Sequence, residues 1–373
     1  MKICFWGDVA RALKGQTPGG AELQISLLAK ALANSGHEVV IIDPFTSESF
    51  ISEDGVKLIA VPDFNRGYRG IRLFLYRLPA LWKIFVEQKA DFYFITMRFY
   101  LHLIPYFAAR KTGGKLILAI ASDLDLLDSK IKYKYSYKPR YSFWDYLTVR
   151  LPSDLVFNYI LKRSDILLLQ HTGQKLPPSG IKGKVVIFPN IINLDTLIIA
   201  ENPSRDYFIH VGTLCILKGL DKLYELIKIA DKKQKFIIVG QTRDNKAKEI
   251  LAKLSEIENV EIKGRLNHDD TVQLIANSRA LISTSYYEGF PNIFVEAWAT
   301  GVPVISLKVN PGDVINKFDL GICCDGDLQK MSKSLESFEI NDFDSNRLVS
   351  YVKEFHDFNT ASVRFTNILA ETN

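Results

Sequence analysis

The sequence predicts an α/β protein built from two doubly wound parallel-sheet domains in tandem. Its 373 residues exceed one ordinary domain and suit two, at roughly 100–200 residues each. Short β-branched and aromatic runs alternate with amphipathic stretches, the pattern of β-α units around a parallel sheet. That alternation lapses once, near the middle, where Pro189-Asn190, Asn193, Asn202-Pro203 and Ser204 are turn and linker chemistry. The division expected is residues 1–190 and 191–354, with a closing helix at about 355–373 returning to the first domain. Sheets of this kind bind ligands at the carboxyl ends of their strands, so the chemistry is expected in loops that face a cleft between the domains.

In the first half the candidate strands are Lys2–Trp6, Glu38–Asp43, Lys57–Val61, Asp91–Thr96, Lys115–Ile120, Asp165–Leu169 and Lys184–Phe188. Helical spacing joins Leu23, Leu27, Leu28, Ala31 and Leu32, and runs again over Ile71–Val86. After the lapse the order is strand Tyr207–Gly212, helix Leu217–Ala230, strand Lys235–Gly240, helix Asn245–Ile257 and strand Asn259–Lys263. Helix Asp269–Ala276, strand Ala280–Thr284, helix Asn292–Thr300 and strand Val302–Ser306 complete it.

Composition excludes several classes. With 47% hydrophobic and 24% charged residues the chain is a folded protein, neither disordered nor fibrous. The start reaches Asp8 after few apolar residues, so no signal peptide is expected, and no apolar run approaches the roughly 20 residues that span a bilayer. Cys4, Cys215, Cys323 and Cys324 include no C-x-x-C pair, and adjacent Cys323 and Cys324 are poorly placed to bridge each other. Reduced thiols and a cytosolic setting are therefore expected. No His/Cys cluster has zinc spacing, so no essential metal is expected. There is no G-x-G-x-x-G after the first strand and no P-loop, which argues against a dinucleotide oxidoreductase or a P-loop enzyme. The net charge of +5 hides an asymmetry: residues 1–190 hold 26 basic and 16 acidic side chains, the remainder 21 and 26. An anionic partner is expected to meet the first domain.

The most informative stretch is Glu288-Gly-Phe-Pro-Asn-Ile-Phe-Val-Glu296, continuing to Gly301-Val-Pro303-Val. It follows a strand and opens a helix, which puts Glu288 in the loop and Glu296 in the first helical turns. Gly289 permits unusual backbone angles, and Pro291 suits a helix start. Free N–H groups there can bind an anion, and two carboxylates can accept bonds from vicinal hydroxyls such as those of a sugar and a ribose. The plainer reading makes Glu296 a surface acid and Glu288 a cap; the full string, with its Gly-Phe-Pro and Gly-Val-Pro-Val, speaks against it.

This string resembles the Glu-x7-Glu signature of the retaining glycosyltransferases of family 4, which have the GT-B fold. Four further places resemble that family: Pro18-Gly19-Gly20-Ala21-Glu22 leading a helix, Phe188-Pro189-Asn190, Val211-Gly212-Thr213-Leu214 with Lys218-Gly219, and a closing segment at about Phe343–Asn373. The resemblance implies transfer of a sugar from a nucleotide-diphosphate sugar to a glycan or lipid-linked acceptor, with retained anomeric configuration and no cofactor. In such a reaction the leaving diphosphate's own oxygen helps take the acceptor's proton, so no dedicated base is needed. By the same resemblance Glu296 holds the nucleotide ribose and Glu288 a donor-sugar hydroxyl. Backbone amides of Phe290, Pro291's neighbourhood and Asn292 meet sugar and phosphate, and Gly19 and Gly20 let the backbone approach the diphosphate and acceptor. Lys218 neutralises the diphosphate. A cation at a helix start is otherwise unfavourable, which itself points to a bound anion.

The sequence also departs from the family's pattern. The usual arginine after Gly212 is Thr213; Arg265, in another strand-end loop, is a candidate for the missing charge and equally a rim residue. A histidine common after the fifth strand is absent, with Ser122 or Asp123 in its place on the acceptor side. These departures leave two rivals to the transferase: a nucleotide-sugar-binding scaffold without turnover, and a sugar-nucleotide epimerase. Asp123-x-Asp125 and Asp325-x-Asp327 read as loop acids rather than metal ligands, and His171 and His210 as structural histidines.

Two segments interleave basic and aromatic residues: 64–89, with Arg66, Arg69, Arg72, Arg77 and Lys83, and 130–150, with Lys130 to Arg150 among Phe143, Trp144 and Tyr146. They suit an anionic membrane surface, as a peripheral contact on the cytoplasmic face serving polysaccharide or glycolipid synthesis. The alternative is an amphipathic helix with a solvated basic face. Aromatic–basic interleaving also suits single-stranded nucleic acid, but no nucleic-acid module is present, and no nucleic-acid partner is expected.

Overall fold

A computed structural model of the chain describes every residue except 17–18, 128–130, 132–141, 178, 198–202 and 373, and the side chains of 69 and 70. Two α/β domains stack face to face, each around its own sheet. The first sheet has eight strands: β1 (Lys2–Trp6), β2 (Glu38–Asp43), β3 (Phe50–Ile51), β4 (Lys57–Ala60), β5 (Phe92–Thr96), β6 (Lys115–Ala119), β7 (Ile166–Leu169) and β8 (Lys184–Ile187). Their order is β3-β4-β2-β1-β5-β6-β7-β8, parallel throughout except for the short β3 against β4. The second has six parallel strands: β9 (Tyr207–Val211), β10 (Lys235–Val239), β11 (Val260–Gly264), β12 (Ala280–Ser283), β13 (Val304–Ser306) and β14 (Gly321–Cys323), ordered β11-β10-β9-β12-β13-β14.

Central strands such as β5 and β12 are buried along their whole length, as continuous apolar runs covered by helices on both faces require. In the second sheet the winding reverses between β9 and β12, so the loops after these two strands diverge and leave a crevice at their carboxyl ends. Strands β3 and β14 have no counterpart among the sequence-predicted elements; at two and three residues they are too short to show a period.

The longer helices of the first domain are α1 (Gly20–Asn34), α2 (Leu78–Gln88), α3 (Leu103–Thr112) and α4 (Leu151–Leu161). Those of the second are α5 (Leu220–Ile229), α6 (Asn245–Ser255), α7 (His268–Ala276), α8 (Asn292–Ala299), α9 (Leu328–Glu336) and α10 (Ser345–Phe355), followed by α11 (Phe358–Ala370). The helix expected over 71–86 runs over 69–88 and contains a π-helical turn at Leu73–Arg77; a second π turn, Tyr146–Arg150, precedes α4. Each ends in Arg-Leu-Pro, with Pro79 and Pro152 in the next turn. Proline lacks an N–H and crowds the preceding carbonyls, and the wider turn ahead of it accommodates both defects without ending the helix.

Of the two closing helices, only the second returns to the first domain. Leu348, Tyr351 and Val352 of α10 are buried with Trp298 in the second domain. Phe365, Ile368 and Leu369 of α11 pack with Ile3, Phe94 and Phe188 of the first. The chain therefore crosses twice, and the crossings are bonded side by side: Ile192 N–H donates to the His356 carbonyl (2.8 Å) and Phe358 N–H to that of Ile192 (2.9 Å). Among the described residues no helix is long and apolar enough to cross a membrane, and all four cysteines are buried.

Candidate functional site

Lys218 and Glu288 meet at the crevice of the second sheet. Lys218 ends the loop after β9 and Glu288 lies in the loop after β12, 70 residues apart in sequence, with Lys218 Nζ 2.5 Å from Glu288 Oε1. The same carboxylate oxygen accepts the Ser285 hydroxyl at 2.9 Å. Gly219 makes this approach possible: it is left-handed (φ +69°), and a Cβ there would collide with the Thr284 carbonyl. The two loops are also stitched by Tyr286 N–H to the Leu217 carbonyl (3.0 Å) and by the Thr284 hydroxyl to that of Gly219 (2.8 Å). An ammonium group has three N–H donors. One is spent on Glu288, which fixes the direction of the side chain and leaves two for a ligand.

Glu296 is buried on the first turns of α8, whose N-cap is Pro291 and whose start no side chain caps. Its carboxylate lies 3.4 Å from Nε2 of His268, the first residue of α7. The bond to Glu296 holds the His268 pKa above its ordinary value against the opposing effect of burial, which favours the imidazolium facing the carboxylate. No feature of the sequence around Asn267-His268-Asp269 pointed to this pairing, because the two partners lie on separate helices. Thr213 is half-buried at the carboxyl end of β9, and Arg265 is exposed after β11, the edge strand.

The first domain closes on this site through polar contacts. Asp123 N–H donates to the Glu288 carbonyl (3.1 Å), and the Asp123 carboxylate binds His171 Nε2 (3.0 Å) and Gln174 Nε2 (3.1 Å). Because Gly173 N–H donates to His171 Nδ1 (3.1 Å), the ring proton is on Nε2 and both nitrogens are engaged. Ser122 accepts from Leu124 N–H as a local cap. His210 is fully buried beside the Ile282 carbonyl, and burial pushes its pKa down to about 4.

Gly20 lies against α8: Asn292 Nδ2 donates to its carbonyl at 3.3 Å, and a Cβ on Gly20 would also fall 3.3 Å from that nitrogen. Pro18 of this glycine loop lies outside the described residues. Asn190 donates to the Phe290 carbonyl (2.6 Å) and to Asn292 Oδ1 (2.7 Å), and accepts from Gln170 (2.5 Å). Gln24 bonds the Ile191 backbone from both ends of its amide and reaches Asn292 Oδ1 as well.

One expectation needs correcting here. The Phe290 amide, expected to face sugar and phosphate, donates instead to Gln170 Oε1 at 2.8 Å, because the closed domains bring that side chain over the loop. The α8 start beyond it, from Asn292 on, has no side-chain cap. Gln24, Gln170, Gln174 and Ser285 were missed by the sequence reading. Each is a common polar residue whose role depends on partners elsewhere in the fold.

The described residues contain no group of three or more His, Cys, Asp or Glu side chains placed to hold a metal ion. The arrangement presents one cation, one carboxylate beside it, a second carboxylate on an uncapped helix, and an opposing glycine loop. Such a set can hold a diphosphate and several hydroxyls at once.

Comparison with known proteins agrees with this geometry. Residues 197–355 match the family model described as glycosyl transferases group 1, and residues 18–165 match that of glycosyltransferase family 4. An uncharacterized glycosyltransferase of Methanocaldococcus jannaschii, MJ1059, is 29% identical over 182 residues, 43% of this chain and 44% of that protein. The chain thus aligns with less than half the length of this relative. A second from that organism, MJ1178, is 22% identical over 78% of this chain and 76% of its own length.

Among solved structures, sucrose-phosphate synthase from Thermosynechococcus elongatus superposes with a TM-score of 0.76 at 14% identity, covering 99% of this chain and 98% of that one. HepE from Anabaena, in complex with UDP and glucose, gives 0.70 at 14% identity over the whole of both chains. At these identities the likeness is one of fold. The two family matches occupy the two domains in the order that fold requires, so the chain has the GT-B fold with each domain matching a glycosyltransferase family model.

Proposed function

We propose that the protein transfers a glycosyl group from a nucleoside-diphosphate sugar to a glycan or lipid-linked acceptor, with retention of anomeric configuration. The observation that carries this reading is the Lys218–Glu288 pair at the crevice, with two lysine N–H groups left over and the Gly19–Gly20 loop opposite. Lys218 and the start of α8 supply positive character where the leaving diphosphate gains charge, so the reaction calls on no metal or cofactor. Glu288 holds a donor-sugar hydroxyl and Glu296 the ribose. Neither works as an acid–base pair. Two neighbours support the donor class: the HepE complexes contain UDP or UDP-glucose, and the GtfA complex from pneumococcus contains UDP and GlcNAc.

The test of the donor site is calorimetric titration with UDP, GDP and ADP in metal-free buffer. One nucleotide is expected to bind, and Glu296→Ala to weaken it at least about tenfold, or ~1.4 kcal/mol. Absence of binding by all three would remove the nucleotide-sugar reading.

The acceptor we assign to surface polysaccharide or glycolipid synthesis at the cytoplasmic face of a membrane. Structural neighbours at 18% identity include the lipopolysaccharide outer core galactosyltransferase WaaB and WaaG, a glycosyltransferase of lipopolysaccharide biosynthesis. The first domain leaves Ile71, Phe74 and Leu75 exposed on one π-bulged helix and Phe143, Trp144 and Leu147 on the other, with α3 packed against both α2 and α4. Arg72 and Arg77 stand on the first of these helices, bonded to the carbonyls of Gly67 and Phe64. Lys130, Lys132, Lys134, Lys138, Arg140, Tyr133, Tyr135, Tyr137 and Tyr141 of the second basic segment lie outside the described residues. Exposed aromatics beside arginines suit the interfacial layer of an anionic membrane. In vesicle flotation the protein is expected to rise with vesicles containing anionic lipid and to stay behind with neutral ones. Phe74→Glu with Trp144→Glu should abolish the difference. Equal flotation with both lipids would refute the membrane contact.

A further inference from the structure

A second pocket lies at the opposite end of the first sheet from the cleft. It encloses about 450 Å³ at the amino ends of β6, β7 and β8, closed on one side by the ends of α3 and α4. Strand β6 links the two places, with Lys115 at its start in the pocket and Ser122 and Asp123 just beyond its other end in the cleft. At about 3.3 Å per residue the two are at most roughly 25 Å apart.

The lining is strongly basic: Arg110, Lys115, Arg163, Lys182 and Lys184 against the single acid Asp165. That carboxylate is already committed. It accepts from Arg110 at 3.1 Å and from Leu116 N–H at 2.7 Å, and its pairing raises the Arg110 pKa further. Lys184 reaches Glu371 at 2.5 Å, and Lys115 bonds the Thr372 carbonyl. Arg163 and Lys182 have no carboxylate partner among the described residues; the Arg163 guanidinium lies 4.1 Å from the centre of the Tyr159 ring.

Gly183 fixes the place of Lys182. A Cβ there would collide with the Ser164 carbonyl and fall 2.8 Å from that of Asp165, so the chain next to Lys182 is pressed against the pocket wall. Ser164 supplies a second, independent feature. It is 1% exposed, it lines the pocket, and its buried hydroxyl has no hydrogen-bond partner among the described residues. A buried hydroxyl left unpaired is costly and calls for a partner.

We propose that this pocket is a ligand site for a phosphate monoester carried on a small polar molecule. A dianion answers the two cations that have no carboxylate partner among the described residues, and a guanidinium can meet phosphate oxygens bidentately. The volume exceeds what a bare phosphate fills and falls within the range of small-molecule sites. Ser164 becomes the inner hydrogen-bonding group once the ligand, or a water bound with it, reaches the wall. The ligand is distinct from the donor, whose site lies across the sheet.

Calorimetry in phosphate-free buffer tests this with glycerol 3-phosphate as the probe and glycerol as the uncharged control. Glycerol 3-phosphate is expected to bind saturably to the wild type and to Lys218→Ala alike, and glycerol not at all. The Arg163→Glu, Lys182→Glu double variant should bind at least tenfold more weakly. Arg163→Gln with Lys182→Gln serves if the charge reversal prevents folding, with circular dichroism and melting as checks. Three results would overturn the proposal: no binding to the wild type at tens of millimolar, unchanged binding in the pocket variant, or binding lost in Lys218→Ala, which would place the phosphate in the cleft.

Discussion

Lys218→Ala is expected to lower glycosyl transfer roughly 100- to 1000-fold, the loss typical of removing one group that stabilises charge developing in the transition state. The residue sits where the reaction needs it, on a loop that Gly219 folds sharply against Thr284, and its ammonium is steered by Glu288 rather than left to wander. A lysine so held has given up its conformational freedom before any donor arrives, so on the proposed reading its bond to the leaving diphosphate would cost little further ordering. Because the side chain is about 30% exposed and the Glu288 side chain 15%, its removal leaves a carboxylate that still holds the Ser285 hydroxyl and some water. The fold should therefore survive, which a melting curve checks.

Glu288→Gln tests the other half of the pair. It keeps the shape and an acceptor oxygen while removing the charge, so Lys218 loses its anchor and the sugar hydroxyl its ionic partner. A loss comparable to that of Lys218→Ala is expected, and the double variant should be little worse than either single change, because the two groups act as a unit. Additive losses would mean that they act separately. Turnover unaffected by either change would sink the transferase reading. A protein that binds nucleotide and never turns over, before or after mutation, would be a scaffold.

Much of the fold was legible because a strand buried on both faces must be a continuous apolar run, and runs such as Phe92–Thr96 and Ala280–Ser283 have no other explanation in a folded chain. What escaped notice was short or interrupted. β14 is three residues long and includes a cysteine, and the π turns before Pro79 and Pro152 look like ordinary helix until the backbone is seen.

The site divides in the same way. Glu288 and Lys218 carry charge in strand-end loops and Glu296 on the first turns of the helix that follows one, and the Glu288-to-Glu296 string with its family resemblance let them be singled out from sequence. The clamp of Gln24, Gln170 and Asn190 could not, since an amide is equally at home on any surface. Most of its bonds reach 100 residues or more: 120 separate Gln170 from Phe290, and 167 separate Gln24 from Ile191. His268 beside Glu296 is a tertiary event of the same kind.

Gly289→Ala is expected to open the cleft and cut transfer about a hundredfold, the scale on which small misplacements of reacting groups act. The three nearest atoms that a Cβ would meet at this position belong to the other domain. It would collide with Gln170 Oε1 and fall 2.8 Å from the Ala121 carbonyl. Gln170 is the end of a flexible side chain and can turn away, although at the cost of its bond to the Phe290 amide. The Ala121 carbonyl is backbone just beyond β6 and cannot move without the sheet. The tightest obstacles to the added methyl lie in the first domain, so each domain should fold normally while the two are held apart. Gly219→Ala differs in kind: its clash is with Thr284 of its own domain, at φ +69°, and it should lower the melting temperature. Small-angle scattering separates the two, with a larger radius of gyration expected for Gly289→Ala and little change in melting. Adding Gln170→Ala should not restore the compact form, because the Ala121 carbonyl remains. A Gly289→Ala protein as compact and as active as the wild type would show that closure does not depend on this contact, and the polar bonds from Asn190, Gln24 and Asp123 would then have to hold the cleft without it.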